Sequence, residues 1–220
     1  PASALTQTVE WLNSAPTNWS LNYEMPSHCI RSSPNGAHLL ATRLVSGGYS
    51  FGLQVFGQVV VESVDPATGA QFAWCNAYDS VVVHSAVIGN DGIGYVAGSF
   101  MGDLVFCDGS TLANTGGFLD EDLFLLAFDA TTGLLLWTRN LSLAHPNAYA
   151  VPVLVQDASG ATWYGLEEFN GAQALAIDAL GNDMVMRSID GARTLGGISF
   201  DPWNNMYATG STGSGDGPLV

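Results

Sequence analysis

Residues Asp122–Arg139 read DLFLLAFDATTGLLLWTR, which is two strand patterns separated by a turn. The first pattern, Asp122–Asp129, is apolar on both of its faces, and the second, Leu134–Arg139, is apolar as far as its tryptophan. A strand with two apolar faces must be covered above and below, so this hairpin predicts a sheet with a neighbour on each side. The pattern therefore favours stacked or radially arranged sheets.

The same pattern recurs along the chain. Trp11, Trp74 and Trp137 are evenly spaced, and related turn sequences precede the second and third of them. In each turn an aspartate can accept backbone N–H bonds, and a glycine supplies the positive φ that closes a hairpin. Two copies in register with a third tryptophan indicate an internal repeat. The turn residues are Asp65 and Gly69 in one copy and Asp129 and Gly133 in the other.

The repeat predicts units of four short strands. We therefore expect one all-β β-propeller, or a propeller segment, with blades of four antiparallel strands and partial blades at both termini. Two arrangements remain open: a small four-bladed ring closed by the N-terminal strand, or consecutive blades of a longer protein of which this chain is a fragment. The predicted units are 1–14 (a last strand only), 23–78, 79–143, 148–190 and 191–220 (incomplete), together spanning 1–220.

Composition narrows the classes of partner. The chain has 220 residues and a formal net charge of −15, and its five cationic residues are all arginine. Such a surface repels phosphate, so we expect no nucleic-acid partner. No apolar run approaches the roughly 20 residues of a membrane span. A strongly acidic surface is typical of soluble, salt-adapted or extracellular proteins.

The segment from Tyr95 to Trp137 resembles the seven-bladed β-propeller repeat of secreted bacterial proteins. The segment Ala127–Trp137 also resembles the tryptophan-docking motif of quinoprotein propellers and of outer-membrane assembly propellers. Both resemblances imply a propeller in which the motif secures blade-to-blade packing, and neither implies catalytic residues. The matching residues are Tyr95, Val96, Gly98, Phe100, Phe106, Asp122, Phe124, Phe128, Asp129, Gly133 and Trp137.

Few residues predict a metal or catalytic site. Asp120, Glu121 and Asp122 form an acidic run that offers oxygen ligands to Ca²⁺, although the spacing of a known calcium loop is absent. Adjacent Glu167 and Glu168 are expected on opposite faces of a strand, where they cannot act on one bond. We therefore predict no catalytic residues and no cofactor, with calcium as the single candidate. The histidines, His28, His38, His84 and His145, lie in separate elements and are expected as isolated residues.

Two sequences fit the acceptor site for N-glycosylation. Asn18-Trp19-Ser20 and Asn140-Leu141-Ser142 both have this pattern. If the chain is eukaryotic and secreted, Asn18 and Asn140 lie near predicted strand ends, where a glycan would be exposed.

The cysteines lack the spacing of a zinc site. Cys29 is expected in the first strand of its blade and Cys75 in the fourth, too far apart for a disulfide. Cys29 is therefore predicted to be a buried free thiol. A Cys75–Cys107 bridge remains an alternative, because the long excursion that contains Cys107 can fold back over the neighbouring edge.

These observations favour a non-enzymatic recognition or structural module of an extracellular or cell-surface protein. Its expected partner is a protein, a glycan or another domain of the same chain. The alternative is a propeller enzyme, a hydrolase or a quinoprotein-like oxidoreductase, with its site on loops at the ring axis. Regular packing repeats without a catalytic motif favour the first hypothesis.

Overall fold

The computed structural model describes residues 29–33, 36, 39–46, 49–50, 53–54, 57–64, 71–73, 78–89, 91–106, 109–115, 121–146, 148–168, 171–178 and 180–211. Its strands are β1 (Cys29–Ser32), β2 (Leu39–Ser46), β3 (Tyr49–Ser50), β4 (Leu53–Gln54), β5 (Gly57–Val64), β6 (Gln71–Ala73), β7 (Tyr78–Ile88), β8 (Ile93–Met101), β9 (Leu104–Val105), β10 (Thr111–Leu112), β11 (Glu121–Asp129), β12 (Leu135–Asn140), β13 (Ala148–Gln156), β14 (Thr162–Glu168), β15 (Gly171–Ile177), β16 (Asp183–Ile189), β17 (Thr194–Phe200) and β18 (Met206–Ser211), with a short helix α1 (Leu141–Ala144).

The strands follow one another as antiparallel meanders. Blade I contains β1, β2, β5 and β6, blade II contains β7, β8, β11 and β12, and blade III contains β13 to β16. Blade IV is represented by the hairpin of β17 and β18. The strands β11 and β12 agree to within a residue with the two strand patterns Asp122–Asp129 and Leu134–Arg139, because an aspartate and glycine turn separates them. The prediction of an all-β fold with four-stranded antiparallel blades is confirmed.

Blades I and II differ from the separate sheets that the repeat predicts. The short β6 pairs with only one end of β5, at Glu62, Ser63 and Val64. The other end of the same strand pairs with β7, at Gly57 and Val59. The two blades therefore share one continuous sheet, because a fourth strand of three residues leaves part of the β5 edge open.

The blades pack face to face. The side chains of a strand alternate between its two faces, and in β14 Tyr164 packs toward blade II while Trp163 packs toward blade IV. On the blade II side the partners include Leu125, and on the blade IV side they include Leu195 and Ile198. Blade II and blade IV thus cover the two apolar faces of blade III, as strands with two apolar faces require.

The first strands of successive blades approach one another. β7 contacts both β1 and β13, and β13 contacts β17. Among the described residues, the backbones of the fourth strands β12 and β16 lie farther apart, and these strands are joined by long side chains, Arg139 with Asp183. Sheets whose first strands converge while their fourth strands diverge are arranged radially, which is the geometry of a propeller.

The long excursion between β8 and β11 closes one end of the blade II core. Its short hairpin, β9 with β10, buries Leu104 and places Leu112 against the cluster formed by Phe100, Phe124 and Phe128. The excursion is therefore a structural part of blade II. Across the described ranges, no helix is long and apolar enough to cross a membrane.

Candidate functional site

Trp137 lies between blades II and III. Its indole packs against Gly181, in the turn between β15 and β16, and a Cβ on this glycine would lie 2.9 Å from the nearest ring carbons. The Tyr95 ring also packs against the indole, with ring centroids 6.0 Å apart and the rings tilted by 55°. Trp137 is thus a blade-to-blade contact. Trp11, Trp74, Asp65 and Gly69, the other repeat-defining residues, lie outside the described residues.

Aspartate turns recur at two positions, between the third and fourth strands of blades II and III and between the first and second strands of blades III and IV. Asp129 Oδ1 accepts hydrogen bonds from the backbone N–H groups of Thr131 and Thr132, at 2.8 and 3.0 Å. Gly133 follows with φ +73°. The sequence signal for these turns is an aspartate followed by glycine or asparagine three or four residues later, and it also marks Asp157 and Asp201, which the repeat alone did not predict. Their carboxylates accept backbone N–H bonds from Ser159 and Ala161, and from Trp203 and Asn205.

A chain of polar side chains crosses the contact between blades II and III. Arg139 donates two hydrogen bonds of 2.6 Å to the two carboxylate oxygens of Asp183. The Tyr164 hydroxyl donates to the same carboxylate at 2.6 Å, and His145 Nε2 lies 3.0 Å from that hydroxyl. His145 Nδ1 lies 3.6 Å from Glu168 Oε1, which extends the chain to the end of β14.

Electrostatic interactions with its neighbours explain why the Asp183 carboxyl group is ionised. Burial alone would raise its pKa, but hydrogen bonds from Arg139 and Tyr164 outweigh that effect and hold the pKa below its ordinary value. The hydrogen bond with Asp183 raises the pKa of Arg139. Burial and then the hydrogen bond to Asp183 raise the pKa of Tyr164, so its phenol stays protonated and donates. Arg139 and Asp183 therefore form a charged pair, and Tyr164 is a neutral hydrogen-bond donor beside it.

The polar side chains of Arg139, Asp183, Tyr164 and His145 lie at the contact between the two blades. Tyr164 has no solvent-exposed area, and the side chain of His145 is 13% exposed. Arg139 also donates to the carbonyl of Gly181 at 3.0 Å, beside the Trp137 contact. The polar and aromatic contacts thus act together on one turn of blade III.

His84 forms a second pair within blade II. Its Nε2 lies 2.9 Å from the Ser99 hydroxyl oxygen, next to a β-bulge between Val83 and Ser85. Burial lowers the pKa of His84 to about 4, so the ring is neutral near pH 7. Ser99 is fully buried and cannot meet a substrate as a nucleophile.

In the described part of the acidic run, Glu121 and Asp122, no free buried carboxylate is offered to a metal. Asp122 is 4% exposed and accepts hydrogen bonds from the Thr115 backbone N–H at 2.7 Å, the Thr115 hydroxyl and Asn140 Nδ2 at 2.7 Å. Glu121 is exposed, and Asp120 lies outside the described residues. Among described side chains, no group of three or more His, Cys, Asp or Glu is placed to hold a metal ion.

Asn140 is a structural residue in the folded chain. It is 5% exposed, and its Nδ2, the atom that would carry a glycan, donates to Asp122 and to the Ala113 carbonyl. Its Oδ1 accepts the backbone N–H of Leu143 and caps α1. The exposure expected for a glycan at Asn140 is therefore not present. Asn18 lies outside the described residues.

The paired glutamates serve different interfaces. Glu167 Oε1 accepts the backbone N–H of Leu195 in blade IV at 2.5 Å, whereas Glu168 points toward His145, in the connection between blades II and III. This is the opposite-face arrangement that strand alternation predicts. Cys29 begins β1, and the structure says nothing of its side chain, while Cys75, Cys107, His28 and His38 lie outside the described residues. The cysteine assignments therefore stay predictions.

Large apolar side chains remain exposed on strands, in turns and on α1. Trp203 is 81% exposed, and Tyr207 on the same hairpin is 56% exposed. Exposed aromatic groups of this kind are available to a partner, unlike the polar side chains between the blades. The others are Val105, Leu134, Leu136, Leu143, Leu180, Met184, Val185 and Met186.

No protein-family model and no curated protein matches the chain. Among solved structures, it is similar to a luciferin-regenerating enzyme at 14% identity, with 84% of this chain and 53% of that chain covered and a TM-score of 0.47. It is also similar to the Dos1 propeller at 9% identity, with 83% of this chain and 67% of that chain covered and a TM-score of 0.34. A third similar structure is the periplasmic gluconolactonase PpgL of Pseudomonas aeruginosa, at 13% identity, with 83% of this chain and 77% of that chain covered and a TM-score of 0.31. The chain spans about half the length of the luciferin-regenerating enzyme. Likenesses this distant carry no argument about activity.

Proposed function

We propose that the chain is a non-enzymatic recognition or structural module of a larger extracellular or cell-surface protein. The observation that carries the proposal is the chain of Arg139, Asp183, Tyr164 and His145. These are side chains with acid, base and charge chemistry, and their contacts tie blade II to blade III. Their roles are those of packing residues.

Two further observations support the proposal. The acidic, lysine-free composition and the resemblance to repeats of secreted bacterial proteins favour an extracellular setting. The groups left exposed are aromatic and aliphatic side chains at turns and outer strands, which suit contact with a partner. The same module can contact a protein, a glycan or another domain of its own chain.

Native mass spectrometry of the purified protein tests the proposal. The expected mass is that of the polypeptide without a tightly bound cofactor. The contrasting hypothesis is a hydrolase or a quinoprotein-like oxidoreductase with its site at the ring axis. A stoichiometric metal or quinone that survives native conditions, and whose removal abolishes turnover of a test ester or alcohol, would contradict the proposed function.

A further inference from the structure

The turn between β17 and β18 is held rigidly by one carboxylate. Asp201 Oδ1 accepts the backbone N–H groups of Trp203 and Asn205, each at 2.9 Å. Asp201 Oδ2 accepts Asn205 Nδ2 at 2.7 Å and the Tyr207 hydroxyl at 3.2 Å. Asn204, with φ +64°, completes the turn, so its side chains are presented in a fixed arrangement.

The turn is also fixed to the neighbouring blade. Asn204 Oδ1 accepts the backbone N–H of Ala158 at 2.8 Å, in the corresponding aspartate turn of blade III. On the next strand, Met206 packs against the core between blades III and IV. A surface anchored at both ends loses little conformational entropy when it binds a ligand.

The side chain of Trp203 has no part in forming this turn. The residue at the same place in the other aspartate turns is Thr131, Ser159 or Leu180, and each donates its backbone N–H to the aspartate just as Trp203 does. A bulky indole is therefore not required by the geometry. At 81% exposure it stabilises little by burial, so its presence needs a different reason.

Several polar side-chain atoms of this turn are available for hydrogen bonds. Among the described residues, Trp203 Nε1, Asn204 Nδ2 and Asn205 Oδ1 have no protein partner, so the turn offers two donors and an acceptor on successive residues. The Tyr207 ring, 56% exposed, lies on the same hairpin. A lone indole among amides differs from the contiguous apolar core of a protein–protein interface.

We propose that the β17–β18 turn binds a neutral carbohydrate, with a pyranose ring stacked on the Trp203 indole and its hydroxyl groups bonded to the side-chain amides of Asn204 and Asn205. The C–H groups on a sugar face are attracted by the electron-rich face of an aromatic ring. The Asp201 carboxylate and the overall charge of −15 disfavour anionic glycans, which leaves the neutral class. The inference rests on the proposed recognition role and gives it a ligand class.

Co-sedimentation with microcrystalline cellulose and with insoluble chitin tests the inference on the whole chain. We expect the protein to be retained on at least one of them, and Trp203→Ala to weaken retention by about tenfold or more, as the loss of an aromatic stacking contact does. Leu180→Ala is the matched control. Leu180 is an exposed residue that donates its backbone N–H to Asp178 as Trp203 does to Asp201, so its substitution should leave retention unchanged. Equal unfolding midpoints would show that the variants are folded.

Three results would overturn the inference. These are no retention on either polysaccharide, equal retention of the Trp203→Ala variant, or stronger Trp203-dependent retention on phosphatidylcholine vesicles than on either polysaccharide. The last would indicate a lipid surface as the partner. Because native mass spectrometry decides the enzyme question separately, a failure here with a cofactor-free mass would remove only the ligand class and leave the recognition role.

Discussion

The indole of Trp137 lies so close to Gly181 that there is no room for a side chain on that glycine. An added Cβ would sit 2.9 Å from ring carbons, closer than real Cβ atoms come to a neighbour. Gly181 also has φ +83°, which a non-glycine residue adopts only with strain. Glycine is thus required at this position for two reasons. Its positive φ forms the left-handed turn, and its lack of a side chain leaves room for the tryptophan of the preceding blade.

Gly181→Ala should therefore lower the free energy of unfolding by roughly 2–4 kcal/mol, from left-handed strain and overpacking together. Gly160→Ala separates the two effects, because Gly160 has φ +87° but nothing within 4 Å of an added Cβ. That control should cost about 1–2 kcal/mol from strain alone. Urea unfolding of both variants measures the difference. Equal losses would mean that the Trp137 contact contributes nothing.

His84 should make stability depend on pH. Its pKa is about 4 in the folded chain and 6.5 ordinarily, because burial disfavours the charged ring. Between these values the unfolded chain binds the proton more readily, so stability falls as the pH decreases from 6.5 toward 4 and is fully present above 6.5. At about 1.4 kcal/mol for each unit of pKa difference, the loss amounts to roughly 3 kcal/mol.

The variant for this test is His84→Gln, which can still bond to Ser99 but does not titrate. Comparing its unfolding free energy with that of the wild type at several pH values cancels the contributions of the other groups. The pH slope between 4 and 6.5 should be smaller in the variant. Identical slopes would show that His84 titrates normally in the folded chain.

Asp122 should hold the excursion onto blade II. Asp122→Ala removes the acceptor for Thr115 and for Asn140 Nδ2, which should cost about 1–3 kcal/mol. Hydrogen exchange in residues 101–115 should accelerate at the same time, because the excursion loses its anchor. Glu121→Ala is the control, since that side chain is exposed one residue away. Equal acceleration in both variants would remove Asp122 from this role.

The sequence predicts the elements better than the contacts between them. The hairpin from Asp122 to Arg139 follows from local patterns, namely apolar residues on both strand faces and an Asp…Gly turn, and the structure contains it. Arg139 and Asp183 were not predicted to meet, because the stagger of two packed sheets decides which residues of distant strands lie opposite. His145 was expected to be isolated for the same reason, yet it lies between Tyr164 and Glu168.

The acceptor pattern at Asn140 shows another limit of local patterns. Three residues identify a possible glycan site, but they do not say whether the asparagine is buried. The burial of Asn140 depends on the excursion, whose Ala113 carbonyl lies against the Asn140 amide although it is 27 residues away in the sequence. The joined sheet of blades I and II is similar, because the pairing of β7 with β5 depends on how much of that edge β6 leaves open. Such features follow from tertiary packing and have no signature in the adjacent sequence.

A double-mutant cycle on Arg139 and Asp183 tests most directly the central claim that the polar chain holds blades II and III together. The variants are Arg139→Met, Asp183→Asn and the double variant, each measured by urea unfolding. Both side chains are partly exposed, at 21% and 29%, so we expect a favourable coupling of about 1 kcal/mol, with each single change costing more than the cycle assigns to the pair. A coupling free energy of zero, with the two single effects simply adding, would contradict the account.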